Sequence, residues 1–454
     1  VLFHELTFLF VFLPVVAGVS FVLPARLRNP FLLVASVFFY AVSSLAFLPV
    51  LFASMAIDYV AGARIAAAPG PATRRAWLVL SVTSNLLILG FFKYAGLVSG
   101  TLADLGLDVP VVDVALPVGI SFYTFQSMSY AIDLYRGKAH RARSLTDFAL
   151  YVTMFPQLIA GPIVRYVDVE AQLVEREETP EKILDGVDLF VVGLAKKLLL
   201  ADTAAAIADP IFTRGAPTPL EAWVAVLAYA AQIYYDFSGY SDMARGLGRM
   251  FGFEFPKNFD SPYQATSFQD FWRRWHITLS TWLRDNLYIP LGGSRHGTAR
   301  TVLALAATML LGGLWHGASW SFMVWGGLHG LYLGLERALR GRVPAPPVAA
   351  RRVIVLLGVL VAWVFFRVED VGDALGWLSA MAGVAPAAPW SVPPHAVEWV
   401  FLGAAWAAAL LLPNADAIDR RPTPRRIVLT LLTLVVSLVV GQGRGISPFL
   451  YFRF

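Results

Sequence analysis

The chain is 454 residues long, 57% hydrophobic and only 15% charged, with a formal net charge of +5 and a mean hydropathy of +0.63. Soluble domains run roughly half apolar and a quarter charged; a chain this apolar has too few polar groups to cover its surface, so the bilayer is its solvent and a large soluble domain is excluded. Cysteine is absent, which excludes disulfides, thiolate metal sites and an acyl-cysteine intermediate on this chain and leaves oxygen or nitrogen to do the chemistry.

The first apolar stretch, residues 3–23, runs into Arg26 and Arg28 with no small-residue cleavage pattern, and reads as a retained span rather than a removable signal. An apolar hairpin turning near Ser43 and Ser44 leads to Arg64, Arg74 and Arg75, so both basic connections fall on the cytoplasmic side with the N-terminus outside. A span over 76–98 is followed by 101–114, which carries Asp104, Asp108 and Asp113 but no Lys or Arg and fits the outer side. After 116–135, Arg136, Lys138, Arg141 and Arg143 bring the chain back to the cytoplasm. The basic excess is therefore topology, not a nucleic-acid patch. Residues 121–135 and 261–293 are too polar or too interrupted for simple spans and are expected as re-entrant or interfacial helices around an internal cavity, because polar backbone at membrane depth needs protein or water to cover it. Small-residue spans follow from Val302, then a basic connection over 337–352, a span to Phe366, a Pro-rich outer loop over 385–394, and two closing spans separated by 420–426. Length arithmetic predicts an all-α, polytopic membrane protein with roughly 11 to 13 transmembrane or re-entrant helices. The chain reads as one membrane domain, 1–454, closing with C-terminal transmembrane helices over 350–454.

Ionisable residues inside a membrane are expensive and are functional candidates by default. His316 lies in Leu311-Gly-Gly-Leu-Trp-His316-Gly-Ala-Ser-Trp320, within a stretch from Val302 to Leu335 that holds no Lys, Arg, Asp or Glu. Gly312, Gly313 and Gly317 remove side-chain bulk around the ring, and desolvation keeps an imidazole neutral, the state a general base needs. The bland account is a packed histidine hydrogen-bonded between helices. Upstream, residues 268–286 read as one helix, with Trp272, Trp275, His276, Leu279 and Leu283 on one face and Asp270, Arg273 and Arg274 towards another. That pattern fits an amphipathic interfacial helix, or arginines that meet the phosphates of an anionic acyl carrier. Asp236 and Asp242 lie nearly two helical turns apart, too far for an acid/base dyad, and read as caps or hydrogen-bond partners of Tyr or Arg. His329 reads as structural, and His4, His140, His296 and His395 as solvated loop residues. A P-loop, a dinucleotide fingerprint, H-E-x-x-H and G-x-S-x-G are all missing.

Four stretches, taken in order and spacing, resemble the membrane-bound O-acyltransferase family, in its bacterial branch of alginate O-acetylation and teichoic acid D-alanyl transfer proteins. They are Leu116-Pro-Val-Gly-Ile-Ser-Phe-Tyr-Thr-Phe-Gln126, Phe155-Pro-Gln-Leu-Ile-Ala-Gly-Pro162, Tyr235-Asp-Phe-Ser-Gly-Tyr-Ser-Asp-Met243, and Phe271-Trp-Arg-Arg-Trp-His276 through Gly313-Leu-Trp-His316-Gly317. The resemblance implies a catalytic core over 115–340, in a ring of tilted helices around a thin central funnel, with His316 as the catalytic histidine. His276 is implied as a second catalytic residue, at a place where relatives carry His or Asn. The substrate-binding set taken from these stretches is Trp315, Arg273, Arg274, Trp275, Asp285, Asn286 and Ser238. The implied donor is cytoplasmic acetyl-CoA, used as a substrate, with no bound cofactor or metal. The implied acceptor chain is an SGNH-type extracytoplasmic partner and then a polysaccharide of the alginate type or a related glycan, at the bacterial cytoplasmic (inner) membrane. The rival reading is a multi-helix transporter or exporter of the glycan or its precursor, which predicts two related halves with paired interrupted helices; no such repeat stands out.

Overall fold

The structure, a computed structural model, describes residues 3–384, 396–418, 420–444 and 448–450. The Pro-rich loop expected over 385–394 and His395 lie outside the described residues. Among the described residues every regular element is helical. A 20-residue helix rises about 30 Å, the thickness of a hydrocarbon core. Five stretches combine that length with sufficient apolarity: Ala25–Ala67, Pro71–Asp104, Gly297–His316, Val348–Arg367 and Pro424–Gly443. Phe8–Val22 and Val397–Leu411 are shorter apolar helices. The first long stretch holds two helices, Ala25–Ser44 and Leu48–Ala67, parted at Ser44, where φ −154° and ψ 47° leave the helical region, at the place the serine pair predicts. Leu87, Leu303 and Val439 are each more than 60% exposed, as side chains facing lipid must be. This is a multi-pass membrane protein.

Two compact units are defined by the chain's internal packing. The first comprises Val1–Leu194, Tyr240–Pro256 and Arg420–Leu432. Here Leu48–Ala67 packs on Pro71–Asp104 and on Ile120–Tyr135, and almost the whole surface of that last helix is buried, as expected of a polar segment too short to span. Asp58, which the sequence pattern does not single out, is fully buried among these helices. Its carboxylate accepts from Ser81 Oγ at 2.5 Å, from Asn85 Nδ2 at 2.9 and 2.8 Å, and from Ser127 Oγ, which is how a carboxylate away from water is tolerated. His4 is buried, at 6% exposure, correcting the expectation of a solvated loop residue; the N-terminal segment tucks Phe3 against Tyr240 at 4.7 Å and carries His4 in with it.

The second unit comprises Ala195–Gly239, Lys257–Asp419 and Thr433–Phe454. Its frame is a helical hairpin, Gly297–His316 and Trp320–Leu339. Glycines make the close approach possible: a Cβ on Gly313 would run into the backbone oxygen of Phe322, and one on Gly326 into that of Met309. Gly327, by contrast, faces Leu310 at an ordinary 3.6 Å. Gly326→Ala should therefore destabilise by about 1–3 kcal/mol through overpacking, while Gly327→Ala leaves the thermal midpoint unchanged or raises it by removing a flexible helix residue; melting both variants in detergent checks the contrast.

Candidate active site

His316 is the last residue of Gly297–His316 and is 4% exposed. Helix and ring cluster together fix it. Gly317 leaves the helical region at φ −162°, ψ 155°, and the imidazole sits edge-on among Trp315 at 5.0 Å, Trp325 at 5.0 Å and Phe366 at 5.1 Å between ring centroids. His276 lies 6.3 Å away, centroid to centroid, and also meets Trp315 at 5.8 Å.

His276 departs from its expected setting. Residues 268–286 do not form one helix: Phe268–Arg274 ends, and Ile277–Leu283 begins after His276, whose φ of +42° is left-handed. The cause is tertiary. Asn258 Oδ1 lies 3.1 Å from His276 Nδ1 and accepts from Thr278 N and Oγ1 at 3.2 and 2.9 Å, while Asn258 O takes the Ile277 N–H at 2.9 Å. These bonds outweigh continuation of the helix and place His276 on its own bend. Because Asn258 Oδ1 accepts, His276 Nδ1 carries the proton and Nε2 the lone pair. His276 is fully buried. Phe237 packs against it at 4.7 Å, nearly perpendicular. Asn258 is a site residue that sequence reasoning missed; a single asparagine in Phe255-Pro-Lys-Asn-Phe259 carries no periodic signal.

A cavity of about 560 Å³ runs along Gly297–His316 from Thr301 to Met309 and reaches Ile277, the residue after His276; neither histidine lines it. Arg273, Arg284, Arg337 and Arg340 line it, against the one carboxylate of Glu336. Trp272, Thr308 and Met309 line it as well; from Met309 to His316 is about 10 Å along the helix at 1.5 Å per residue.

The remaining candidates separate. Arg273 lines the cavity, whereas Arg274 pairs with Asp270 at 2.9 Å and donates to Asp260 O at 3.3 Å. Trp275 is 1% exposed and packs among Phe271, Phe259 and Trp363. Asp285 takes Arg284 Nε at 2.7 Å, and Asn286 sits half-buried in the π-turn Arg284–Tyr288. Ser238 is buried beside Phe237 on Pro219–Met250. His329 is fully buried and accepts from Trp272 Nε1 at 3.2 Å. Asp236 does not cap a helix: it lies inside Pro219–Met250 and pairs with Lys197 at 2.7 Å, and Lys197 also reaches Asp202 at 2.9 Å. Asp242 pairs with Arg245 at 3.5 Å. Among the described residues no group of acidic, histidine or cysteine side chains could hold a metal ion.

Residues 77–368, which contain both histidines and every residue lining the cavity, match the membrane-bound O-acyltransferase family. The chain belongs to this family. It is 41% identical to the probable alginate O-acetylase of Azotobacter vinelandii over the whole of both chains. It is 48% identical to that of Pseudomonas aeruginosa over 84% of this chain and 74% of the relative, and 37% identical to the peptidoglycan O-acetyltransferase of Helicobacter pylori over 84% and 80%. Membership makes the protein an O-acyltransferase and sets aside the transporter reading. The family match begins before and ends after the core expected over 115–340.

Proposed function

We propose that the protein moves an acetyl group from acetyl-CoA on the cytoplasmic side to a hydroxyl on the far side of the cytoplasmic membrane, for O-acetylation of an extracytoplasmic polysaccharide through an SGNH-type partner. The observation that carries this reading is the buried pair of imidazoles, 6.3 Å apart, with an arginine-lined cavity that reaches Ile277, the residue after His276. The relatives named for acetylating alginate and peptidoglycan point to acetyl as the group and a glycan as its destination. In the reaction, His316 takes the proton of the acceptor hydroxyl as its oxygen attacks the thioester carbon. The C–O bond forms, the C–S bond breaks, and the thiolate takes that proton from His316. His276, its Nδ1–H held by Asn258 Oδ1, orients the reacting groups through Nε2. Burial of both rings keeps water from competing as acceptor. Incubating the purified protein with radiolabelled acetyl-CoA and an SGNH-type acceptor tests the reading: label on the acceptor and free CoA support it, and substrate flux without CoA release overturns it.

The arginines supply the phosphate-binding charge. Guanidinium pairs with phosphate through charge-assisted, two-pronged hydrogen bonds. Arg273→Gln and Arg337→Gln should each raise the KM for acetyl-CoA by about tenfold, equal to about 1.4 kcal/mol of lost binding, with kcat nearly unchanged. Arg274→Gln, which removes a guanidinium already paired with Asp270, should leave KM within about twofold; the same KM change in all three variants would remove the cavity from the donor's path.

A further inference from the structure

Trp325 stands beside His316 and His329 beside Trp325, and each ring holds a buried N–H that meets no acceptor among the described residues. Trp325 and His329 are one helical turn apart on Trp320–Leu339, 1% and 0% exposed. Their rings lie 4.9 Å apart, and that of Trp325 stands 5.0 Å from His316. The indole Nε1 of Trp325 and the imidazole Nε2 of His329 have no hydrogen-bond partner among the described residues. The proton on His329 is fixed by its neighbour: Trp272 Nε1–H donates to His329 Nδ1 at 3.2 Å, so a neutral His329 must carry its hydrogen on Nε2. Trp272 lines the arginine cavity, which ties this cluster to the donor's side of the site. Buried donors without acceptors are costly and in native proteins call for an explanation. A packing role asks only for the rings, and leaves both N–H groups unexplained.

We propose that Trp325 Nε1–H and His329 Nε2–H form the oxyanion hole of the acyl transfer. The inference rests on the acetyl-CoA reading above. When the acceptor hydroxyl oxygen bonds to the thioester carbon, the carbonyl π pair moves onto the carbonyl oxygen. The two N–H groups receive that oxygen, while His316 holds the hydroxyl proton. The pair then returns to re-form C=O, the C–S bond breaks towards sulfur, and the thiolate takes the proton from His316. Donors held by a rigid helix need not reorganise as the charge develops, which is why such groups lower barriers more than they tighten substrate binding. Trp325 and His329 are thereby catalytic residues, and Trp272 a positioning residue that sets the tautomer of His329.

The test uses the full-length protein in detergent. Trp325→Phe and His329→Leu should each lower kcat by about 10²–10³-fold with KM for acetyl-CoA within about threefold, and His329→Gln, which keeps an N–H in reach, should recover at least tenfold of that loss. In the infrared, acetyl-CoA labelled with carbon-13 at the carbonyl should show a stretch shifted to lower frequency when bound to the unmodified protein, and a shift reduced in both donor-free variants. Should Trp325→Phe unfold, benzothienylalanine at position 325 preserves the ring shape without the N–H and gives the same readout. Unchanged kcat in the donor-free proteins, or an unchanged carbonyl frequency, overturns the oxyanion hole and returns Trp325 to N–H contacts with neighbouring ring faces. Failure of the unmodified protein to release CoA overturns the acetyl-CoA reading instead, so the two failures are distinguishable.

Discussion

His316→Ala should lower acetyl transfer by at least about 10³-fold, within the range that a positioned general base contributes, while the protein remains folded. Retained folding is expected because the ring is held by packing among Trp315, Trp325 and Phe366 with the glycine-lined hairpin beneath it, and truncation leaves a pocket without an uncompensated charge. Glutamine at 316 should not restore turnover, since an amide cannot take the proton. His276→Ala should slow transfer less, because orienting a hydroxyl is worth less than removing its proton, and His276→Asn should recover part of the loss. Thermal midpoints and single-turnover CoA release on the same preparations check these outcomes; full transfer by a folded His316→Ala protein would remove the base.

The second large effect is on stability. Lys197 is almost completely buried between Asp202 at 2.9 Å and Asp236 at 2.7 Å, and Asp236 also accepts the Leu450 N–H at 2.7 Å. Removing one partner of a buried ion pair leaves the other charge uncompensated, typically destabilising by about 3–5 kcal/mol. Lys197→Met should therefore lower the yield of monodisperse protein and its thermal midpoint sharply. Lys197→Met combined with Asp236→Leu should recover part of the loss, because the more deeply buried of the two stranded carboxylates goes with the lysine while Asp202 remains. A double variant no better than the single one would place the weakness in packing rather than in charge.

Much of this site is legible in the chain, and what is not has a physical reason. His316 stands out because the stretch from Val302 to Leu335 holds no fixed charge, so a lone imidazole there is conspicuous. Arg273 is recoverable from its place in an aromatic and cationic run, although the same run offers Arg274, which spends its charge on Asp270. The break at His276 is hidden, since the apolar spacing of 268–286 suits one continuous helix; only Asn258, reaching in from a preceding loop, ends it. Lys197 and Asp236 are invisible as a pair because nothing in spacing brings residues that far apart together. The unsatisfied donors of Trp325 and His329 need coordinates to be noticed at all, as sequence gives residue types and not which hydrogen bonds go unmade.

One consequence of the bend at position 276 reaches beyond this chain. The residue there must tolerate a left-handed backbone and also present a polar side chain to its surroundings. Glycine meets the first demand without the second, and glutamine or serine the second without ready access to the first. Histidine and asparagine are among the few residues enriched in that backbone region, and both offer hydrogen-bonding groups, so the permitted vocabulary at this point of the fold is short for reasons of conformation as much as of reactivity.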